Sequence, residues 1–312
     1  MAQRDFAVMR TGEGDRFRIL QVTDFHSDAA EYCNERTRED VRALVAAHGP
    51  DLLAVTGDIW CGDLHPGAAL MWMKRDLDFL ASLETPWAFC RGNHDYVSDL
   101  EYMLGAIAET PHAIAPAGDS KGNFRIELQT LGEEVLWDIF FLDSGPRWNE
   151  VDSLDWFTGE VERVNARRGR VVPALLFFHI PLRNYQEALD TGRIRGAGNE
   201  DVLFWGDEDG RVEEVLKAAG QKDGGPGNVR ACFCGHSHKN DFHFEEDGIV
   251  FGYGRATGYG GYGGEEIGKG AKLIELGRGR DAITWRTVFA SDADVMAAAR
   301  RQNGAVYPGT GP

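Results

Sequence analysis

Cysteine is scarce in this chain, with only five in 312 residues. The five are Cys33, Cys61, Cys90, Cys232 and Cys234. Their number is odd and their spacing matches no disulfide-stapled scaffold, which excludes that class of small secreted protein. Cys232 and Cys234 face the same side of a strand-like run, where we predict buried thiols. Such a sparse set is typical of proteins from a reducing compartment.

Positive charge is also in short supply, because 33 lysines and arginines stand against 50 aspartates and glutamates, for a formal net charge of −17. Surfaces that bind nucleic acid or anionic membranes carry basic patches, so we expect neither partner. No apolar run approaches the roughly 20 residues of a membrane span. The N-terminal segment MAQRDFAV lacks the apolar core of a signal peptide. We therefore expect a cytoplasmic protein.

What the chain does contain is an alternation of strand-like and helix-like segments. Short apolar, β-branched runs predict strands at 17–22, 52–56, 87–90, 124–128, 135–142, 171–178, 229–234, 249–253, 272–276 and 282–289. Helical patterns lie at 35–48, 70–83, 98–109 and 151–166. Early alternation followed by strands with few helices predicts an α/β fold with mixed sheets.

The length and the absence of an internal repeat favour one domain over residues 1–290, followed by a C-terminal helix and tail over 291–312. Within the domain, 191–228 is rich in glycine and charge, and we interpret it as an insertion-like excursion between two motif-bearing strands. Excursions of this length are often lids or specificity loops, and a solvated loop is the alternative.

Five short polar motifs each follow a predicted strand. In chain order they are Asp24-Phe25-His26, Gly57-Asp58, Gly92-Asn93-His94-Asp95, His179-Ile180-Pro181-Leu182 and Gly235-His236-Ser237-His238. Ligands of α/β folds bind at the C-terminal edges of strands, so we expect these side chains to meet there. Residues two apart on an extended backbone face one side, so we expect Asp24 and His26 to reach one cation. Carboxylates, imidazoles and an amide together suit a pair of first-row divalent cations.

Taken singly, each motif has a structural alternative, since Asp58 could cap a helix and His179 could be a core histidine. In this order, however, they resemble the motifs of the calcineurin-like metallophosphoesterase family: Asp-x-His, Gly-Asp, Gly-Asn-His-Asp/Glu, His and Gly-His-x-His. The matched positions span 24 to 238. The surrounding sequences HIPLRNYQEAL and GHSHKNDF are most similar to the small purple-acid-phosphatase-like branch.

The resemblance implies a four-layer αββα sandwich of two mixed β-sheets flanked by helices, with the metal site at the strand C-terminal edges. It also implies two ligand shells that share one bridging aspartate. Asp24, His26, Asp58 and His238 would hold one ion, and Asp58, Asn93, His179 and His236 would hold the other.

The resemblance further implies a mechanism in which a hydroxide between the metals attacks phosphorus in line. His94 would protonate the leaving oxygen or brace the phosphate, and Asp95 would orient the His94 ring. Arg91 resembles an arginine that binds phosphate in some phosphoprotein phosphatases, although pairing with a nearby carboxylate would explain it equally well. Arg183, four residues after His179, is a second candidate for phosphate binding.

Two positions depart from the purple acid phosphatases. Their metal-binding tyrosine, three residues after the bridging aspartate, is Cys61 here, and their first motif ends in glycine where this chain has His26. We therefore expect no tyrosinate-to-iron colour and a packed Cys61 thiol. The glycine-rich run 252–264 carries Tyr253, Tyr259 and Tyr262, which could hold an aromatic substrate group, with Tyr259 as the favoured candidate; simple packing over the sheet is the alternative.

Together these observations predict a dinuclear metal-dependent phosphoric ester hydrolase, acting on monoesters of a small phosphorylated substrate or a phosphoprotein. The expected cofactors are two divalent or trivalent ions, with iron, manganese or zinc favoured by such oxygen and nitrogen shells. A phosphodiesterase, acting on a cyclic nucleotide or another diester, would use the same site. A non-catalytic metal-binding scaffold is the third alternative, and the complete ligand set counts against it.

Overall fold

Strands and helices occupy most of residues 6–115, 120–221, 225, 227–263 and 267–306, which are the residues described by this computed structural model. The strands are β1 (Ala7–Arg10), β2 (Phe17–Val22), β3 (Leu52–Val55), β4 (Trp87–Phe89), β5 (Phe124–Gln129), β6 (Val135–Phe141), β7 (Ala174–Phe177), β8 (Arg195–Ala197), β9 (Val229–Cys234), β10 (Asp241–Glu246), β11 (Ile249–Tyr253), β12 (Gly270–Leu276) and β13 (Ile283–Phe289). The helices are α1 (Glu31–His48), α2 (Ala69–Ala81), α3 (Leu100–Glu109), α4 (Ser153–Arg168), α5 (Arg183–Asp190), α6 (Arg211–Ala218) and α7 (Ala293–Val306).

Two mixed sheets organise these elements. The larger has the strand order β1-β5-β6-β7-β9-β11-β10-β8, and the smaller has the order β13-β12-β2-β3-β4. In the larger sheet β6, β7, β9 and β11 are parallel neighbours, and in the smaller sheet β2, β3 and β4 are parallel. Parallel strands end at the same edge of a sheet. The motif-bearing loops after β2, β3 and β4 therefore lie at one edge of the smaller sheet, and those after β7 and β9 lie at one edge of the larger sheet.

Alternate residues of the strands face different apolar cores. In β3, Leu52 and Ala54 pack between the two sheets, whereas Leu53 and Val55 pack under α1 and α2. In β7, Phe177 faces the core between the sheets and its neighbour Leu176 faces α4 to α6. Helices therefore cover both outer faces, and the predicted αββα sandwich of two mixed sheets is confirmed.

Several elements were not expected from the sequence. Strand β10 has the period-2 pattern of a strand, with Phe242 and Phe244 buried, but its charged residues obscure it. Strands β1 and β8 are too short for a periodic signal, and α5 spans only eight residues. The region 191–228 contributes β8 to the sheet edge and α6 to the outer layer, and its description as an insertion stays a prediction.

The C-terminal helix begins at Ala293, close to the predicted position, and continues to Val306. Residues 307–312 of the predicted tail lie outside the described residues. Among the described helices, none combines the length and apolar composition needed to cross a lipid bilayer.

Candidate metal centre

The loops after β2 and β3 run side by side and carry Asp24, His26 and Asp58. The amide of Asp24 donates to the carbonyl of Gly57 over 3.0 Å, and the amide of His26 donates to the carbonyl of Asp58 over 2.9 Å. The parallel pairing of the two strands therefore continues into the motifs. This pairing fixes the backbone from which the three side chains project.

Four of the candidate ligands adopt left-handed backbone conformations that L-residues rarely occupy. Their φ angles are 58° at Asp24, 52° at His26, 54° at Asp58 and 76° at His236. Such strain persists only where surrounding structure over-determines it, and it is concentrated at functional sites. The four bends turn the side chains toward a common centre.

Gly92 allows the loop after β4 to approach the loop after β3. A β-carbon at this position would lie 2.2 Å from Oδ1 of Asp58 and 2.5 Å from its backbone nitrogen, so any larger residue would collide. The close approach lets the amide of His94 donate to Oδ1 of Asp58 over 2.8 Å. The glycine of the third motif thus serves to bring Asn93 and His94 beside Asp58.

Asp24, His26 and His238 form the first ligand cluster, and all three are buried. The Nε2 atoms of His26 and His238 lie 3.0 Å apart. Oδ1 of Asp24 lies 3.3 Å from Nε2 of His238 and 3.8 Å from Nε2 of His26. Three ligand atoms therefore face one small volume, as a metal ion requires.

Asp58, His179 and His236 form the second cluster, again buried. Oδ2 of Asp58 lies 3.0 Å from Nε2 of His179 and 3.6 Å from Nε2 of His26, so this carboxylate touches both clusters. Oδ1 of Asn93 and the Nε2 atoms of His179 and His236 are buried without a hydrogen bond to any described residue. Buried polar atoms are rarely left unpaired. These three fit the second ion, whose predicted shell they complete with Asp58.

The outer nitrogens of two imidazoles fix their tautomers. Nδ1 of His179 lies 2.8 Å from the carbonyl oxygen of Thr56, and Nδ1 of His238 lies 2.8 Å from that of Tyr262. A carbonyl only accepts hydrogen bonds, so each Nδ1 carries the proton. When the ring is neutral, each Nε2 presents its lone pair to the pocket, which is the tautomer that binds a metal.

Electrostatics keeps the two carboxylates ionised. Burial acts to raise the pKa of Asp24, but the neighbouring His238 holds that pKa well below its usual range. Burial likewise opposes the effect of His179 on Asp58, and the net pKa of Asp58 is lowered. Burial and the charge of His179 lower the pKa of His236 to about 3. Ionised carboxylates and a neutral imidazole are the forms that bind cations.

Comparison with known proteins agrees with this geometry. A family model described as Calcineurin-like phosphoesterase matches residues 17–240. The chain belongs to the calcineurin-like phosphoesterase family. It is 30% identical to "Probable inactive purple acid phosphatase 28" of Arabidopsis thaliana, over 90% of this chain and 80% of that protein. Within the family it therefore lies in the branch similar to purple acid phosphatases.

Solved structures share the fold at low sequence identity. A dimetal phosphatase from Danio rerio superposes with a TM-score of 0.57 at 12% identity, covering 87% of this chain and 98% of that chain. GAP50, the anchor in the inner membrane complex of Plasmodium, superposes with a TM-score of 0.56 at 11% identity, covering 96% and 99%. Both similarities concern the calcineurin-like fold alone.

Asp63, and not Asp95, orients the His94 ring of this calcineurin-like chain. Nδ1 of His94 lies 2.7 Å from Oδ1 of Asp63. The carboxylate of Asp95 instead accepts from the backbone amides of Asp58, Ile59, Trp60 and Gly92 over 2.7 to 3.2 Å. The predicted role of Asp95 is therefore wrong, because its oxygens are occupied in holding two metal-site loops together.

Neither arginine proposed for phosphate binding points into the ligand clusters. Arg91 contacts the buried carboxylate of Asp143 through Nε at 3.2 Å and Nη2 at 3.0 Å, so the carboxylate-pairing alternative is the one observed. Arg183 is half exposed, pairs with Glu187 at 3.0 Å and donates to the carbonyl of Glu208. In this structure each guanidinium is directed at a protein oxygen, and a phosphate-binding role for Arg91 and Arg183 stays a prediction.

Tyr259 also lies away from the ligands. Its hydroxyl donates to Asp40 over 2.7 Å, and the guanidinium of Arg36 lies over its ring at 4.3 Å. The tyrosine next to the metal centre is Tyr262, whose ring stacks on His238 with 4.0 Å between the ring centroids. The alternation of glycine and tyrosine in 252–264 could have indicated Tyr262 equally well. Sequence alone does not decide which tyrosine reaches the site.

The region 191–228 also reaches the metal centre at two points. The indole of Trp205 meets the ring of His236 edge-on, with 4.8 Å between the ring centroids. Glu200 accepts a hydrogen bond from the Tyr262 hydroxyl over 2.8 Å. Trp205 and Tyr262 thus flank the two imidazoles of the Gly-His-x-His motif, and of the two only Trp205 was not expected from the sequence.

Proposed function

We propose that this chain hydrolyses phosphate monoesters with two metal ions held by the two ligand clusters. The observation that carries the proposal is the convergence of the candidate ligands in two buried clusters. Three ligand atoms of this site are buried and have no hydrogen bond to any described residue. The similarity to plant proteins named as purple acid phosphatases favours monoesters. Iron, manganese and zinc all suit such mixed oxygen and nitrogen shells.

The protein's own contribution centres on His94. Bound ions would supply Lewis acidity toward phosphoryl oxygens and acidify water. His94 lies at the rim of the site, about a quarter exposed, with its ring 5.0 Å from that of His26. Asp63 holds Nδ1, so the proton for the leaving oxygen is delivered from Nε2 of His94. A carboxylate behind an imidazole both orients the ring and balances the charge of its protonated form.

We propose a small phosphorylated molecule or a phosphoprotein as the substrate. Trp205 and Tyr262 flank the candidate ligands, and the Tyr262 side chain is 47% exposed, which leaves an aromatic surface for the organic part of an ester. Flat aromatic side chains bind apolar groups with little loss of conformational entropy.

The role of His94 is tested by His94→Asn in the metal-loaded protein. Loss of a positioned general acid lowers kcat by about 10²–10⁴-fold, and we expect the bound metal to remain at two ions per chain. His65→Asn is the matched control, because His65 is an exposed histidine outside the ligand clusters. Unchanged turnover in His94→Asn would remove His94 from the mechanism.

Substrate class is tested by comparing p-nitrophenyl phosphate with bis(p-nitrophenyl) phosphate under saturating metal. We expect kcat/KM to favour the monoester. A strong preference for the diester would instead establish the phosphodiesterase alternative, since the same two ions can act on either ester.

A metal-binding scaffold is the second candidate, and the relatives named as inactive favour it. The experiment that separates the candidates measures metal content and turnover on the same sample. Two ions per chain with turnover of a monoester would support the enzyme. Two ions per chain without turnover of any ester on a broad panel would support the scaffold.

A further inference from the structure

A cavity opens at one end of the space between the two sheets. Its volume is about 610 Å³, and strands β8 and β10 of the larger sheet and β12 and β13 of the smaller sheet form its walls. None of the seven candidate metal ligands lines it. The cavity is thus separate from the metal centre, although Asp241 in its wall follows His238 by only three residues.

Strand register explains why polar side chains gather in this cavity. Arg195 of β8 is paired with His243 of β10, so both project to the same side of the larger sheet. Lys272 of β12 is paired with Thr287 of β13 on the smaller sheet, and its ammonium group donates to the Thr287 hydroxyl over 2.9 Å. The apolar layer between the sheets therefore ends in a cationic chamber.

The charges of this chamber are unbalanced. Four cationic residues line it, and Asp241 is the one carboxylate among its described lining residues. Lys272 and Arg255 are both buried and share Asp241, at 2.5 and 3.7 Å. Arg195 is exposed and has no carboxylate within 4 Å among the described residues. Arg286 alternates with Trp285 and Thr287 along β13, so its side chain projects to the other face of the smaller sheet. In a chain with a net charge of −17, this local excess of positive charge distinguishes the cavity from the rest of the molecule.

The same cations act on His243, which lies in the cavity wall. Its pKa is lowered, first by burial and then by the charges of Lys272 and Arg195. A field that disfavours an extra proton favours a bound anion in the same place.

An aromatic side chain adds a second recognition element. Trp285 is half-buried in the cavity wall and meets the rings of His243 and Phe233 edge-on at 5.2 and 6.1 Å. The indole itself lines the cavity, so it can contact a flat aromatic group that enters there. A cavity of about 610 Å³ is within the range of sites for small organic ligands and is far larger than inorganic phosphate needs.

We propose that this cavity binds a nucleoside phosphate, with the phosphates at Arg195 and Lys272 and the base against Trp285. Arginine and lysine side chains are the usual partners of phosphate oxygens. Bases stack on tryptophan because every base has a flat π-face. This binding is separate from ester hydrolysis and does not depend on it.

The test is calorimetric titration of the full-length, metal-loaded protein with ADP. Arg195→Gln removes an exposed cation with no described partner, and we expect it to weaken ADP binding about tenfold or more. Arg193→Gln is the matched control, since Arg193 is an exposed arginine two residues away that pairs with Glu246 at 2.9 Å and does not line the cavity. Equal effects of the two substitutions, or no effect of either, would overturn the proposal.

Two further measurements locate the bound nucleotide. Trp285→Leu should weaken ADP binding but leave binding of inorganic phosphate unchanged, because phosphate cannot stack. Hydrolysis of p-nitrophenyl phosphate by Arg195→Gln should equal that of the unmodified protein. If ADP binding is abolished by Asp58→Asn and unaffected by Arg195→Gln, the nucleotide binds only at the metal centre and the proposal fails.

Discussion

Two buried polar clusters of this molecule balance their charges in different ways. The arginine cluster comprises Arg125, Arg168, Glu127, Asp138 and Glu160, and it lies between the larger sheet and α4. Two guanidinium groups there face three carboxylates at 2.5 to 3.2 Å. The ligand cluster, which comprises the seven candidate metal ligands, is comparably buried, but its described ion pairs include neither arginine nor lysine.

The difference teaches that burial of charge alone does not mark a functional site. A buried carboxylate is tolerated when a cation compensates it. In the arginine cluster that cation is an arginine of the chain. Among the described residues, the ion-pair partners of Asp24 and Asp58 are imidazoles. The ligand cluster is therefore built for cations that come from solution.

The largest effect is expected from Arg125→Met, which removes the fully buried cation of the arginine cluster. Methionine has a similar volume but leaves Asp138 with Arg168 and Glu160 with the partly exposed Arg163 as their remaining described cations. Breaking a buried ion pair in this way costs about 3–5 kcal/mol. The free energy of unfolding in urea measures this loss.

Arg163→Met is the control for that experiment. Arg163 pairs with Glu160 at 2.7 Å but is 41% exposed, and an exposed pair contributes at most about 1 kcal/mol. Equal losses in the two variants would show that the arginine cluster is no more important than a surface ion pair.

A smaller effect is expected when cations are supplied to the ligand cluster. An ion that binds only the folded protein stabilises it by about 2.7 kcal/mol at a concentration 100 times its Kd. Thermal unfolding with and without Mn²⁺ or Zn²⁺ measures this gain. Asp58→Asn should abolish this gain. Arg125→Met should gain the same stability from metal, although it is less stable than the unmodified protein without metal. A stability of the unmodified protein that is indifferent to metal would contradict the comparison.

As the pH falls, we expect the ligand cluster to lose its metal before the arginine cluster loses its stabilising effect. Burial acts to raise the pKa of Glu127, but hydrogen bonds from Arg168 lower it below its usual value. A lowered carboxyl pKa gives stability that is present above the unfolded-state value and is lost as pH falls through the folded-state value. Against the effect of burial, Asp58 raises the pKa of His179 to about 9 and Asp24 raises the pKa of His238. These two ligands therefore take up protons, and release metal, at a higher pH than the one at which Glu127 is protonated. Metal content measured between pH 8 and 3 should therefore fall before the protein unfolds, and simultaneous loss would contradict this order.

The sequence predicted the positions of the ligands better than their hydrogen-bond partners. Each of the five motifs follows a strand, and α/β folds bind ligands at the C-terminal edges of strands, so the meeting of Asp24, Asp58 and His179 was predictable with the family resemblance. The partner of His94 was not predictable in this way. Asp95 is adjacent in sequence, but Asp63 approaches only because the loop after β3 folds back.

The same limit explains why the sequence did not reveal the contacts that Arg91 and Tyr259 make. Their partners, Asp143 and Asp40, lie 52 and 219 residues away. Local periodicity reports which face a residue occupies and not which distant side chain it meets. Short edge strands such as β8 are missed by sequence analysis for a related reason, because three residues carry too little periodicity to be distinguished from a loop.

The smallest effect is expected at Cys61, which touches the ligand cluster from outside. Its sulfur lies 3.4 Å from Nδ1 of His26, while Nε2 of that ring faces Asp24 and His238. Burial and nearby carboxylates raise the pKa of the thiol, so it stays protonated and supports the ring instead of binding metal. Removing a partner behind a ligand weakens metal binding about tenfold at the low end, so we expect that loss in Cys61→Ala and near-normal affinity in Cys61→Ser. Competition with a chromophoric chelator measures both, with Cys33→Ser, on α1, as control. Loss of one whole ion in Cys61→Ser would make the thiolate a ligand and place one negative charge more in the cluster.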